Sequence, residues 1–134
     1  MDARDTQLRL HRTLLMRRSC RSFSSRPVSD RDVQALRRAV GAVPSVYGRR
    51  SGWAEVVDDR KRVAEVIRAV VSGMVGKINL WLPRGNRPPV LVVCCGDPDR
   101  SPVRDGRHLY NVDAALAGEA AVAAAACRHL GSVW

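Results

Sequence analysis

The sequence predicts a single layered domain of helices and strands, of either the α+β or the α/β class. Helical and strand-like apolar patterns follow one another in the order helix, helix, strand, helix, strand, helix. Hydrophobic residues make up 46% of the chain and are mostly Val, Leu and Ala, which favours helices packed on a sheet. The 134 residues are enough for one hydrophobic core, so we expect one domain over 1–134.

The first part of the chain contains two predicted helices joined by an extended segment. Leu and Met recur among Arg and His over 6–17, which predicts an amphipathic helix with a short extended exit at Ser19–Phe23. Pro27 disfavours a helix immediately before it. Ser29 is a good N-terminal cap for a second helix, which we expect to end at Gly41.

The middle of the chain predicts a loop, a strand, a third helix and an irregular segment. Val43–Gly52 is rich in turn residues, and Trp53–Val57 alternates in the manner of a strand. Arg60–Val71 places Val and Ile on one face, which predicts a helix. Glycines interrupt 72–88, so this segment is predicted to be irregular, with an apolar anchor at 80–82.

The last part of the chain predicts a central strand and a long helix. Pro89–Cys95 is continuously apolar, which fits a strand covered on both faces. A polar loop over Gly96–Arg107 follows it. Asn111 or Asp113 can cap an Ala-rich helix that we expect to end at Gly131.

The chain is strongly basic, with 23 Lys and Arg against 13 Asp and Glu and a net charge of +10. Nearly all of the basic residues are Arg, which is compatible either with a GC-rich genome or with a polyanionic partner. The charge is spread along the chain, and no recognition-helix motif or row of stacking aromatics accompanies it. The polyanionic partner is either a nucleic acid or the phosphate groups of a cofactor, and these features do not single out a nucleic acid, an alternative that only the net charge supports.

Four cysteines, at positions 20, 94, 95 and 127, show no C-x-x-C spacing, so no metal site is predicted. We interpret them as reduced, mostly buried thiols of a cytoplasmic protein. The N-terminus is charged and lacks an apolar signal region, and no stretch has the composition of a membrane span.

The segment Arg17–Arg21 places four cationic or hydroxyl side chains within five positions, a composition that suits a phosphate. Without a ligand, the same residues would form a solvated basic helix end that complements the helix dipole. Ser45, in the predicted loop, has a similar pair of interpretations, as a ligand contact or as a capping residue.

Five features of the sequence, in order and at plausible spacing, resemble the flavin-dependent nitroreductase superfamily. They are Arg17–Phe23, Pro27-Val28 before a capped helix, Val43-Pro44-Ser45 ahead of Trp53, Val90–Asp97, and Val112–Glu119 followed by Leu130–Trp134. The resemblance implies an α+β, three-layer nitroreductase-like fold with helices around a central, mostly antiparallel sheet. It also implies that the family's C-terminal part is absent after Trp134, so that the fold is incomplete there.

The resemblance further implies an FMN-dependent oxidoreductase that is a homodimer with FMN at its interface. Such an enzyme passes hydride from NAD(P)H through the flavin to a nitroaromatic, a quinone or a similar acceptor. Arg17, Arg18, Ser19 and Arg21 match the family's contacts to the FMN phosphate and ribityl chain. Ser45 matches a position near the isoalloxazine ring. The flavin carries the redox chemistry, so no catalytic side chain is required.

An alternative arises from two departures from the family pattern. The loop after Ser45 lacks the family's usual Asn and Gln, and the family's C-terminal arm, which often adds phosphate ligands, has no counterpart after Trp134. The alternative is a shortened, non-catalytic relative that binds a partner subunit or sequesters flavin.

Overall fold

The computed structural model of the chain describes residues 13, 15–74 and 87–134. In these ranges it contains helices α1 (Asp30–Gly41), α2 (Arg60–Met74) and α3 (Tyr110–Cys127), and strands β1 (Gly52–Val57), β2 (Leu91–Gly96), β3 (Val103–Arg104) and β4 (Arg107–His108). Most of the helix predicted over 6–17 and the apolar anchor at 80–82 lie outside the described residues. None of the helices described here is long and apolar enough to cross a membrane.

The strands of the described residues form two antiparallel pairs. In the larger pair, β1 lies beside β2, with Gly52 opposite Gly96 and Val57 opposite Leu91. In the smaller pair, β3 lies beside β4. Antiparallel strands with helices packed against them constitute the α+β arrangement, and the prediction of that class is confirmed.

Helix α3 is the centre of the packing, because it contacts α1, β1 and β2. The buried apolar side chains are small or branched: Val33, Leu36, Val63, Ala114, Ala117, Ala121, Val122 and Ala125. Two glycines mark close approaches to this helix. A Cβ on Gly52 would lie 2.1 Å from the Tyr110 carbonyl oxygen, and one on Gly118 would lie 2.2 Å from the Trp134 ring. The small residues therefore allow the helix to sit directly on its neighbours.

Helix α1 begins and ends where its sequence predicts. The Ser29 hydroxyl oxygen accepts a hydrogen bond from the Asp32 backbone N–H at 3.2 Å, and the hydroxyl donates to the Asp32 carboxylate at 2.7 Å. The last helical residue is Gly41. Arg128 donates to the same Asp32 carboxylate and so ties the start of α1 to the end of α3.

Both predicted ends of the last helix are wrong. Helix α3 begins at Tyr110, whose N–H donates to the Ser101 hydroxyl at 2.9 Å, and no side chain of the helix itself caps it. It ends at Cys127 rather than near Gly131. His129 takes the left-handed conformation, with φ of 56°, that terminates the helix. Tertiary contacts and a non-glycine turn thus replace the local caps that the sequence suggested.

The prediction that the apolar run at 89–95 is a strand covered on both faces is also wrong. No residue of β2 is fully buried, and Cys94 is exposed although it faces Gly118 of α3. Cys127 is exposed as well, so the thiols are not mostly buried. A continuous apolar run does not by itself distinguish a strand covered on both faces from one that is half covered.

A short hairpin interrupts the segment predicted to be a polar loop at 96–107. Its strands, β3 and β4, are joined by Asp105 and Gly106, whose φ angles are 50° and 72°. Positive φ at both central residues is the requirement of a type I′ turn, for which an Asp-Gly pair is suited. The Asp-Gly pair is a local signal for this hairpin.

Candidate cofactor-binding site

The four residues predicted to bind phosphate form what we call the N-terminal cradle: Arg17, Arg18, Ser19 and Arg21. Ser19 forms a parallel bridge with Ser132, and the N–H of its neighbour Cys20 donates to the Ser132 carbonyl at 2.8 Å. The cradle therefore lies beside the segment that follows α3.

The side chains of the N-terminal cradle are available to an anion. All four residues are exposed. Across the described part of the chain, none of the three arginines takes part in an ion pair with an acidic side chain. Three guanidinium groups and a hydroxyl on one exposed segment form a donor set that suits phosphate oxygens, so the residues fit this type of ligand.

The segment between α1 and β1 contains a contorted loop, Ser45–Ser51, which we call the 45–51 loop. It includes a 3₁₀ turn over Val46–Gly48. Tyr47 and Arg50 have φ angles of 52° and 48°, in the left-handed region, and Gly48 has a φ of 70°. A non-glycine residue held in this region costs about 1–3 kcal/mol, so surrounding contacts must maintain the loop.

The buried carboxylate of Asp113 maintains the 45–51 loop through hydrogen bonds. Asp113 is only 2% exposed. Its Oδ1 accepts from the Val46 backbone N–H at 2.7 Å, and its Oδ2 accepts from the Ser51 hydroxyl at 3.1 Å. Asp113 lies in the first turn of α3, where the helix dipole favours negative charge. Two hydrogen bonds and the dipole thus stabilise the carboxylate, which holds both ends of the loop.

Ser45 is half-buried, and its hydroxyl has one local bond. Its Oγ accepts from the Arg50 N–H at 3.0 Å. A hydroxyl that accepts in this way still has its own proton to donate, so Ser45 can act as a turn residue and as a ligand contact together. Beside it, Tyr47 is 77% exposed at the tip of the loop. Arg100 also reaches the loop, since its Nη2 donates to the Arg49 carbonyl at 3.2 Å.

The N-terminal cradle and Ser45 are supported by different contacts. The cradle adjoins the segment after α3, whereas the 45–51 loop is attached to the first turn of α3. Within the described ranges, no hydrogen bond or ion pair joins the two groups. The five predicted site residues therefore lie on two segments of the chain that no hydrogen bond or ion pair of the described residues joins.

Asp113 is the residue whose part in the site the sequence did not predict. The sequence predicts it only as a possible helix cap. One signal in the sequence could have indicated this role. Asp113 lies on the same face of the Ala-rich helix as Ala117 and Ala121, and an acidic residue on such a face needs hydrogen-bond partners.

The adjacent thiols show no sign of activation. Partial burial raises the pKa of the Cys94 thiol, and the neighbouring Cys95 raises it further. Burial and the charge of Glu55 raise the pKa of the Cys95 thiol. Raised pKa values keep both thiols protonated at neutral pH, which makes them poor nucleophiles. In the part of the chain that the structure describes, no three His, Cys, Asp or Glu side chains are grouped to hold a metal.

A pocket of about 260 Å³ lies between β2, the start of α3 and the end of the chain. Cys94, Tyr110, Asn111 and Trp134 are among its lining residues. It contains none of the five predicted site residues, and its volume is small for a cofactor.

The family model described as the nitroreductase family matches residues 14–134, which include the N-terminal cradle and the 45–51 loop. The chain belongs to the nitroreductase family. A relative from Archaeoglobus fulgidus, provisionally named NADH dehydrogenase/NAD(P)H nitroreductase, is 30% identical over 121 residues. That match covers 88% of this chain and 62% of the relative.

Solved structures of nitroreductase family proteins share the fold. A nitroreductase family protein from Clostridium difficile 630 aligns with a TM-score of 0.69 at 20% identity, over 91% of this chain and 64% of that one. A protein from Parabacteroides distasonis, provisionally named NADH dehydrogenase/NAD(P)H nitroreductase, aligns with a TM-score of 0.67 at 26% identity. That alignment covers 94% of this chain and 67% of the other. The predicted nitroreductase-like fold is confirmed, and the chain spans less than two thirds of the Archaeoglobus relative.

Proposed function

We propose that this nitroreductase family chain is an FMN-dependent oxidoreductase that uses NAD(P)H to reduce a nitroaromatic, a quinone or a similar acceptor. Membership of the family supports an oxidoreductase, and the printed name of the Archaeoglobus relative supports NAD(P)H as the reductant. The observation that carries the proposal is the N-terminal cradle, with three exposed arginines free of ion pairs among the described residues.

The N-terminal cradle would hold the FMN phosphate. Hydrogen bonds from Arg to an ionised oxygen contribute about 1.5–3 kcal/mol each, and Ser19 adds a neutral donor beside them. When bound, the flavin supplies the hydride transfer between NAD(P)H and the acceptor. The side chains of the protein bind and orient it, and Ser45 would donate its hydroxyl proton near the ring.

The proposal includes a homodimer, because in one chain the cradle and Ser45 lie on segments that no hydrogen bond of the described residues joins. A second copy can supply one of the two segments at a given site. The outer face of α3 supports this assembly, since Val112 and Leu116 are 46% and 44% exposed there. Exposed apolar side chains on one helix face are typical of an interface. Four free cysteines support placing the enzyme in the cytoplasm.

The visible absorption spectrum of the purified protein tests the proposal. We expect a yellow protein that releases FMN on denaturation and oxidises NAD(P)H. The double variant Arg18→Ala/Arg21→Ala should lose most of its FMN, whereas Arg68→Ala, an exposed arginine on α2, should retain it.

A colourless protein that does not take up added FMN would contradict the enzyme proposal. It would favour the alternative, a non-catalytic relative that binds a partner subunit. Equal FMN content in the double variant and in Arg68→Ala would instead contradict the assignment of the cradle.

A further inference from the structure

We infer that Arg49, Arg50 and Arg100 bind the phosphate groups of the reductant, and that the chain prefers NADPH to NADH. The inference rests on the proposed function, because it places NAD(P)H against the ring beside the 45–51 loop. Hydride transfer would require the nicotinamide to lie on the flavin. With the flavin ring placed beside Ser45, the pyrophosphate and adenosine of a bound NAD(P)H would extend along residues near the ring, among them the 45–51 loop.

Arg49 and Arg50 are consecutive in the 45–51 loop, and one hydrogen bond brings the guanidinium group of Arg100 to the backbone of this loop. Arg100 donates from Nη2 to the Arg49 carbonyl at 3.2 Å, which holds its charge against the loop. Arg50 donates from its backbone N–H to the Ser45 hydroxyl. All three side chains belong to exposed residues. The cluster is therefore adjacent to the residue that we place near the flavin ring.

The three guanidinium groups are not neutralised by acids in the part of the chain that the structure describes. None of them is in an ion pair, whereas Arg37 pairs with Asp58 at 2.8 Å and Arg128 pairs with Asp32. The acids nearest in sequence to Arg100 are Asp97 and Asp99. Oδ1 of Asp97 accepts from the backbone N–H groups of Asp99 and Arg100, so this carboxylate is used inside its own turn.

The 45–51 loop is held in one conformation before any ligand arrives. Asp113 accepts from Val46 and Ser51, and the Asp97 N–H donates to the Ser51 carbonyl at 2.7 Å. Left-handed residues at Tyr47 and Arg50 are maintained by these bonds. Strained, over-determined loops are typical of ligand sites, and preorganisation lowers the entropic penalty of binding.

The combination of one exposed aromatic side chain and three cations fits a phosphorylated nucleotide. Tyr47 is 77% exposed at the tip of the loop and can stack on a base or a nicotinamide ring. The flavin phosphate has its own donors in the N-terminal cradle, so the loop arginines are not needed for it. The 2′-phosphate of NADPH adds negative charge that NADH lacks, and three guanidinium groups favour the more highly charged molecule.

The experiment compares the flavin-loaded wild-type protein with Arg49→Ala/Arg50→Ala, Arg100→Ala and the control Arg68→Ala. We expect the double variant to raise KM for NADPH by about tenfold or more, with a smaller rise for NADH and little change in kcat. Arg68→Ala should leave both KM values within about twofold, as expected for an exposed residue outside the site.

A second measurement does not depend on turnover. Isothermal titration with 2′,5′-ADP, which has no redox activity, should show binding to the wild-type protein and to Arg68→Ala. Binding should be lost in the double variant, while FMN content and circular dichroism stay unchanged. If the wild-type protein lacks FMN and turnover, the proposed function fails, and this titration still decides whether the loop binds a nucleotide phosphate.

Three outcomes would overturn the inference. In the first, the protein carries FMN and oxidises NADPH, but the variants change neither KM nor 2′,5′-ADP binding, which leaves the proposed function intact. In the second, the double variant loses FMN, which assigns the arginines to the flavin. In the third, a short DNA duplex binds through these arginines and 2′,5′-ADP does not, which assigns the cluster to nucleic acid.

Discussion

At the scale of single residues, Asp113 connects the core of the molecule to the candidate site. Its carboxylate is buried on the apolar face of α3, yet both of its hydrogen-bond donors belong to the 45–51 loop. The geometry of a strained surface loop is thus set by a residue of the hydrophobic core. Substitution of Asp113 should therefore lower the stability of the fold and also release the 45–51 loop from its conformation.

We expect Asp113→Ala to destabilise the fold, because it leaves the Val46 N–H and the Ser51 hydroxyl without their partner. An unsatisfied buried donor costs about 1–3 kcal/mol, and Ser51→Ala, which removes only one donor, should cost less. The free energy of unfolding in urea measures both effects. Glu119→Ala, at an exposed position of the same helix, is the control and should change it by less than about 0.5 kcal/mol. Equal stability of Asp113→Ala and this control would contradict the assignment.

Single residues also show where prediction from the sequence succeeds. Ser29 is predicted as a cap because its partner, Asp32, is three residues away and the interaction is local. The partner of Asp113, Val46, is 67 residues away in the sequence. Nothing local identifies such a partner, so the role of Asp113 becomes visible only when the helix and the loop are packed together.

At the scale of elements, the type of each helix and of the main strands follows from the apolar pattern, whereas several boundaries and exposures do not. The pattern over Arg60–Val71 predicts α2 within three residues of its observed end at Met74. The end of α3 at Cys127 depends on a left-handed His129, a conformation that local propensity disfavours outside glycine. The half-exposed state of β2 depends on the elements that surround it, which the strand's own residues do not specify.

The junction between the start of α1 and the end of α3 should make stability sensitive to acid. A hydrogen bond from Ser29, and then the neighbouring Arg128, lower the pKa of the Asp32 carboxyl below its ordinary value of 3.8. Since the folded state favours the charged form, its contribution is present above about pH 4 and is lost as the pH falls through the lowered pKa. Thermal unfolding of wild type and Asp32→Asn from pH 7 to pH 2 should give melting temperatures that converge in acid. A difference in melting temperature that stays constant with pH would contradict the assignment of this stability to the ionised Asp32 carboxyl.

The contribution of the N-terminal cap of α1 to the free energy of unfolding can be measured separately at neutral pH. Ser29→Ala removes the acceptor for the Asp32 N–H, and loss of such a cap costs about 1 kcal/mol. Ser29→Thr keeps both the acceptor for the Asp32 N–H and the donor to the Asp32 carboxylate, and should recover most of the loss in urea unfolding. Failure of Ser29→Thr to exceed Ser29→Ala in stability would argue that the cap contributes little here.

At the scale of the whole molecule, the proposed homodimer depends on the outer face of α3. Val112 is 46% exposed on this helix, whereas Val103 is 58% exposed on the small hairpin. Val112→Glu introduces a charge into the proposed interface and should give a monomer by light scattering. Val103→Glu is the matched control and should remain a dimer. A dimer in both variants would place the interface elsewhere.

Among the features of the whole molecule, the overall architecture is the one that the sequence predicts best. The resemblance to the nitroreductase family depends on five short segments, and their order survives even where single residues differ. The distance between Ser45 and Arg21 depends on how the chain packs around α3, and residue types at given spacings do not specify that path.

The bridge between Ser19 and Ser132 has a consequence for biosynthesis. It joins a segment that leaves the ribosome early to one that leaves it late, so the arginines beside Ser19 acquire their structural support only after α3 has been translated. Closure of such a long loop is entropically unfavourable and slow compared with local folding. We therefore expect capture of a phosphate ligand to follow the synthesis of α3, and the concentration of that ligand in the cell to influence how many newly made chains reach the folded state.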